Sequence, residues 1–136
     1  MKRRPDDQGS VMVLTLGYAL LAMALVLVCV DATSLYLERK RVDAAADAAA
    51  LAGADGFVFS VSGGRPRAVL TDDSVREQAL AVVAAAESVE LVSAGTPDGT
   101  TARATVAAVW RPPVFLLFAP DGVRIEATAT SRTAFR

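Results

Sequence analysis

Residues 11–30 read VMVLTLGYALLAMALVLVCV, twenty consecutive positions without a charge or a proline. Only Thr15, Gly17, Tyr18 and Cys29 depart from plain aliphatic or small apolar side chains. A helix of this length rises about 1.5 Å per residue and spans about 30 Å, the thickness of a bilayer hydrocarbon core. In lipid, a single segment satisfies all its backbone N–H and C=O groups only as a helix. The stretch therefore reads as a transmembrane helix. The alternative, a helix buried in a soluble core, needs more surrounding protein than a 136-residue chain provides.

The flanks place this segment. Lys2, Arg3 and Arg4 precede it, and Arg39, Lys40 and Arg41 follow it, so the positive charges at the two ends balance. Segments longer than about 60 residues translocate largely regardless of charge. That leans towards residues 1–10 as a short cytoplasmic tail and a C-terminal domain outside the cytoplasm. The apolar run exceeds the h-region of a cleaved signal, and Ala22-Met23-Ala24, which has the small-x-small spacing, falls mid-span. A single-pass signal anchor in the cell membrane is the expected arrangement, with Ser10 and Asp31 marking the membrane boundaries. An acid directly after the span fits the interface, where charge costs far less than at the bilayer centre. The sharper alternative pairs Asp31 with an arginine of a partner helix.

Beyond the span, residues 31–56 continue without proline and are rich in alanine, the best helix former. One helix is expected from the membrane to about Ala54, with Gly53, Asp55 and Gly56 as its stop. Ala45, Ala49 and Gly53 recur every four residues, as do Ala44, Ala48 and Ala52. Such ridges of small side chains permit close approach of another helix. Ala45, Ala49 and Gly53 are thus a candidate helix-packing interface, either within the chain's own domain or between subunits. Asp43 and Asp47 form a separate acidic stripe.

These residues carry a resemblance. Gly9, the apolar run, Asp31, Tyr36, Arg39–Arg41 and the alanine run from Ala45 to Ala52 occur in the order seen in TadE/TadG-like proteins of the Flp (tight adherence) pilus assembly system. Two positions depart from the pattern. Asp43 stands where the family often has glutamine, and Leu14 stands where processed prepilins carry glutamate. The second departure argues against cleavage between Gly9 and Ser10, so the chain is expected to remain uncleaved. The resemblance implies a pilin-like or pseudopilin-like membrane component. Its partners would be the lipid bilayer and other pilus or secretion-system membrane proteins, with self-association as one form.

Residues 57–136 read as a small exported α+β domain. Residues 57–61 are β-prone, and residues 62–66 suggest a loop. Asp72 or Asp73 can cap a second helix over residues 74–89, whose stripe is Val75, Ala79, Leu80, Val82, Val83 and Ala86. Residues 90–93, 101–110 and 123–133 predict a three-stranded antiparallel sheet, with residues 96–100 as a hairpin turn. In the second strand Ala102, Ala104, Val106, Ala108 and Trp110 share one face. In the third that face is Val123, Ile125, Ala127 and Ala129. The apolar patch VFLLFA, residues 114–119, either covers the sheet or touches lipid. A long N-terminal helix against such a sheet is a pilin-like architecture.

The chemistry-bearing residue types are sparse. There is no histidine and one cysteine, Cys29, so no intramolecular disulfide and no His/Cys zinc site can form. Nucleophilic catalysis lacks a histidine base, and Gly63-Gly64-Arg65 lacks the Lys-Ser/Thr of a phosphate loop. No catalytic, cofactor-binding or metal-ligating residue is assigned, and neither a cofactor nor a small-molecule substrate is expected. A net charge of −1 provides no field for nucleic acid. Two functions remain: a structural component assembling through the long helix, and a membrane-anchored binding or adhesion module without pilus assembly.

Overall fold

The computed structural model describes residues 7–116 and 119–132, with only the backbone at Asp7, Gln8, Ser62 and Arg65. The basic N-terminal residues, Leu117 and Phe118 of the apolar patch, and Thr133 of the last predicted strand lie outside the described residues. The fold is α+β, built on one long helix. Helix α1 runs Asp7–Asp55, 49 residues without interruption, or about 74 Å at standard rise. It already includes Gly9 and Ser10, so the helix begins before the apolar run rather than at it. Within the span, Thr15 donates its hydroxyl to the carbonyl of Val11 at 2.8 Å, which satisfies that polar group without water.

The second helix, α2, is Asp72–Val83. Its N-cap is Thr71, not the aspartates. The Thr71 hydroxyl accepts from the Ser74 N–H, and Ser74 Oγ accepts from the Thr71 N–H, each at 3.2 Å. Asp72 is used elsewhere: it accepts the Thr96 N–H at 2.7 Å, tying the start of α2 to the following hairpin. The helix ends at Val83, six residues short of the expected end at 89. The N–H groups of Ala85 and Ala86 bond three residues back, to Val82 and Val83, which tightens the last turn. Ser88 then takes φ 63°, reversing the chain. Arg41 of α1 donates to the Glu87 carbonyl at 2.9 Å and fixes this exit.

Among the described residues, five strands form two sheets. Strands β1 (Val58–Ser62) and β2 (Arg65–Val69) pair as an antiparallel hairpin around Gly63-Gly64, both at positive φ. This two-residue turn matches the right-handed twist of the strands, and glycine adopts it without penalty. The predicted loop at residues 62–66 is therefore a hairpin, with Pro66 opposite Val61. Strands β3 (Glu90–Gly95), β4 (Thr101–Trp110) and β5 (Val123–Arg132) form the expected antiparallel sheet in the order β3-β4-β5. β3 extends two residues beyond the predicted 90–93 and carries a bulge between Leu91 and Ser93.

The β3–β4 turn is organised by Asp98. Its carboxylate accepts from the N–H groups of Thr100 and Thr101 and from the Thr101 hydroxyl. Chiefly the Thr100 backbone bond, with help from Thr101, lowers its pKa from the ordinary 3.8 to about 2. The folded chain therefore binds this proton less readily than the unfolded chain. The carboxylate's contribution to stability is complete above the ordinary carboxylate range and is lost as pH falls through about 2. Carboxyl-carbon NMR titration is expected to place the Asp98 midpoint at about 2, well below the ordinary 3.8. In Asp98→Asn the Thr100 and Thr101 amides should exchange faster at neutral pH.

The core lies between the outer half of α1, the inner face of the sheet and α2. It is built almost wholly of alanine and valine: Val42, Ala46, Ala49 and Ala50 from α1, Ala79 and Val83 from α2, and Ala104, Val106 and Ala108 from β4. A smaller cluster, Ala54, Leu70, Val75 and Ala102, closes the far end. Ala107, on the opposite sheet face, is also fully buried. It sits in register between Glu90 of β3 and Glu126 of β5, and Arg124 pairs with both acids. The small alanine lets the guanidinium bridge two strands across the central one. Glu126 and then Glu90 hold Arg124 above its usual pKa, though ion pairs this exposed add little stability.

Candidate functional site

Three parts of α1 meet different surroundings. From Val11 to Val26 every residue is exposed, with Leu16, Leu20, Leu21, Met23 and Leu25 all more than half accessible. This is the stretch assigned to lipid, and the helix is long and apolar enough to cross a membrane. From Val42 onward the helix is an internal element of the domain.

The small-residue ridge is where the sequence left two alternatives. Ala49 is fully buried, Ala45 is partly buried against the core, and Gly53 lies against α2 and β4. A Cβ on Gly53 would stand 2.8 Å from Val75 Cγ1 and 3.3 Å from Ala102 Cβ. Ala45, Ala49 and Gly53 thus face the chain's own core, with Gly53 against Val75 of α2 and Ala102 of β4. Gly53 sits in the last turn of α1, which ends at Asp55, and its carbonyl accepts the Gly56 N–H at 3.2 Å, so it serves both the helix stop and close approach. The second ridge remains open: Ala44 and Ala48 are exposed and Ala52 is half-buried, beside Asp47 and a Leu51 that is 59% exposed.

Asp31 lies between these regions. It is only 7% exposed, and its two oxygens accept the N–H groups of Val114 at 3.0 Å and Phe115 at 3.1 Å. Both oxygens are thus held by backbone of the chain's own β4–β5 connection, through charge-assisted bonds stronger than neutral ones. Three residues on, Ser34 Oγ accepts from the Trp110 indole N–H at 3.1 Å. Val28, Asp31, Ala32 and Leu35 of α1 then face Trp110, Pro112, Phe115 and Ala119 across an open apolar groove of ≈ 350 Å³. Val114 and Phe115 of the apolar patch are therefore pinned to the end of the span. Just beyond, Tyr36 receives the Lys40 ammonium over its ring, 5.9 Å from the centroid. Cys29 is an exposed free thiol on α1.

The elements that carry this geometry have a known counterpart. Residues 9–56 match the family model Tad, described as "Putative Flp pilus-assembly TadE/G-like". The TadE/G-like segment is thus the long helix itself, from Gly9 to the residue after its end, about a third of the chain. No curated protein and no solved structure matches the chain. The Tad match and the apolar helix together support a pilus-related membrane component. The Tad segment includes both Asp31 and the buried ridge, so the matched residues are the ones that dock the domain on the helix.

Proposed function

We propose that the chain is a single-pass, pilin-like or pseudopilin-like structural component of a Tad/Flp-type pilus assembly or secretion apparatus. Its small domain stands outside the cytoplasm, its N-terminus remains uncleaved, and it performs no catalysis. The observation that carries this reading is the continuity of α1. One helix supplies the span, the TadE/G-like match and the spine of the domain core. Association through that helix has two free surfaces, the exposed span and the outward ridge of Ala44, Ala48 and Leu51.

Cross-linking from Ala48→Cys and Leu51→Cys, in a Cys29→Ser background in native membranes, is expected to capture pilus-system membrane proteins or a second copy. Mass spectrometry identifies what is caught. Failure to capture anything from the span or the ridge, with loss of ligand attachment on changes to the domain surface, would favour the binding-module reading. A mature chain beginning at Ser10 in N-terminal sequencing would overturn the uncleaved state.

A further inference from the structure

We infer that the β4–β5 connection is a second membrane-contacting element, which lays Val114, Phe115 and Leu116 into the bilayer surface beside the exit of α1. The inference rests on α1 spanning the membrane and is independent of the pilus role. Asp31 is its positioning residue.

Height along α1 is the first argument. Pro112, Phe115 and Ala119 of the connection face Val28, which belongs to the apolar span, and Ala32 and Leu35 one to two turns further out, across the groove. The connection therefore lies level with the end of the hydrocarbon core. Leu116, which follows Phe115, is 50% exposed, and Val28 at 52% and Leu35 at 37% are open as well. This apolar surface is continuous with the lipid-facing surface of α1, and the apolar phase at that height is the bilayer itself.

Polar satisfaction is the second. Irregular backbone survives near hydrocarbon only if its N–H groups are bonded internally. The Val114 and Phe115 N–H groups are bonded, to the two oxygens of Asp31. The same bonds occupy the carboxylate, so the acid does not hold the segment in water. Trp110, whose indole N–H is bonded to Ser34, stands at this level as tryptophans do at membrane interfaces. Arg111 adjoins the segment in sequence, and Arg39 lines a second groove that shares Ala32 and Leu35 with the first. Both side chains can reach lipid phosphates by extending along the apolar surface.

The test places an environment-sensitive fluorophore on the full chain in a Cys29→Ser background. The protein is reconstituted in phosphatidylcholine–phosphatidylglycerol vesicles at low protein-to-lipid ratio. Labels go at Leu116→Cys, at Leu21→Cys in mid-span and at Thr130→Cys on the exposed sheet face. Quenching by brominated acyl chains reports lipid contact, and quenching by iodide reports water. The Leu116 label is expected to be quenched by bromines near the headgroups and shielded from iodide. The Leu21 label should respond to deep bromines and the Thr130 label to iodide alone. Adding Asp31→Ala should abolish bromine quenching at 116 and leave it unchanged at 21. If 116 behaves like 130 while 21 stays quenched, the inference is overturned and the span stands. If 21 also behaves like 130, the span fails and the inference falls with it. Shielding of 116 that appears only at high protein-to-lipid ratio overturns it in favour of a second copy covering the segment.

Discussion

Gly53→Leu is expected to destabilise the small domain by about 3 kcal/mol and leave the span in the bilayer. A Cβ at this position already stands 2.8 Å from Val75 Cγ1, and Val75 is fully buried between α1 and β4. The rest of a leucine has no space to occupy, because the neighbours are the short, β-branched Val75 side chain, Ala102 Cβ and the Val75 carbonyl rather than flexible side-chain ends. Overpacking of this kind costs about 1–3 kcal/mol, and the upper end applies where nothing can give way. Small domains hold only about 5 kcal/mol in reserve. An alanine–valine core buries few methylenes, each worth about 0.8 kcal/mol, and so sits towards that lower limit. The single tryptophan, Trp110, reports the transition in urea titrations of the micelle-embedded chain. The paired control is Ala48→Leu on the outward ridge, expected to shift stability by less than about 0.5 kcal/mol. Equal effects of the two substitutions would contradict the packing described here.

Asp31→Ala should release the β4–β5 connection without unfolding the sheet. Two buried backbone N–H groups would lose a charged acceptor, and each such bond contributes about 1.5–3 kcal/mol. The loss is local, because β4 and β5 remain paired along their full register from Trp110–Val123 to Thr101–Arg132. Hydrogen exchange is the direct measurement. The Val114 and Phe115 amides should lose most of their protection, and the amides of β4 should keep theirs. Asp31→Asn separates charge from geometry: one amide oxygen still accepts, so roughly one of the two protected sites should survive. Unchanged exchange at both amides in Asp31→Ala would show that the carboxylate does not hold the segment.

Much of this fold was legible because local signals agreed. The alternation from Ala102 to Trp110 and from Val123 to Ala129 described strands whose inner faces are the ones observed. The 96–100 turn carried its own chemistry in Pro97, Asp98 and Gly99. The misses have distinct physical causes. Pro66 disguised β2, since proline inside a run demotes it as a strand, yet the Gly63-Gly64 pair was a sufficient hairpin signal. Alanine continues past Val83, so propensity alone extends α2, and only the tightened turn and the Arg41 contact end it. Thr71 was overlooked as the N-cap because two acids followed it, although Thr71 and Ser74 have capping-box spacing. The role of Asp31 depends on backbone 83 positions away, which no local pattern encodes. The spacing of Ala45, Ala49 and Gly53 marks a packing ridge, but only the fold shows it turned towards the chain's own core.

The absence of any break in α1 has a mechanical consequence. A helix turns about 100° per residue. With no hinge between span and domain, the bearing of the domain around the membrane normal is fixed by the bearing of the span. A neighbour that grips one face of the span therefore chooses which way the threonine-bearing outer face of the sheet points, and every identically gripped copy points the same way. Twisting the span inside the membrane would swing that face like a vane on a shaft.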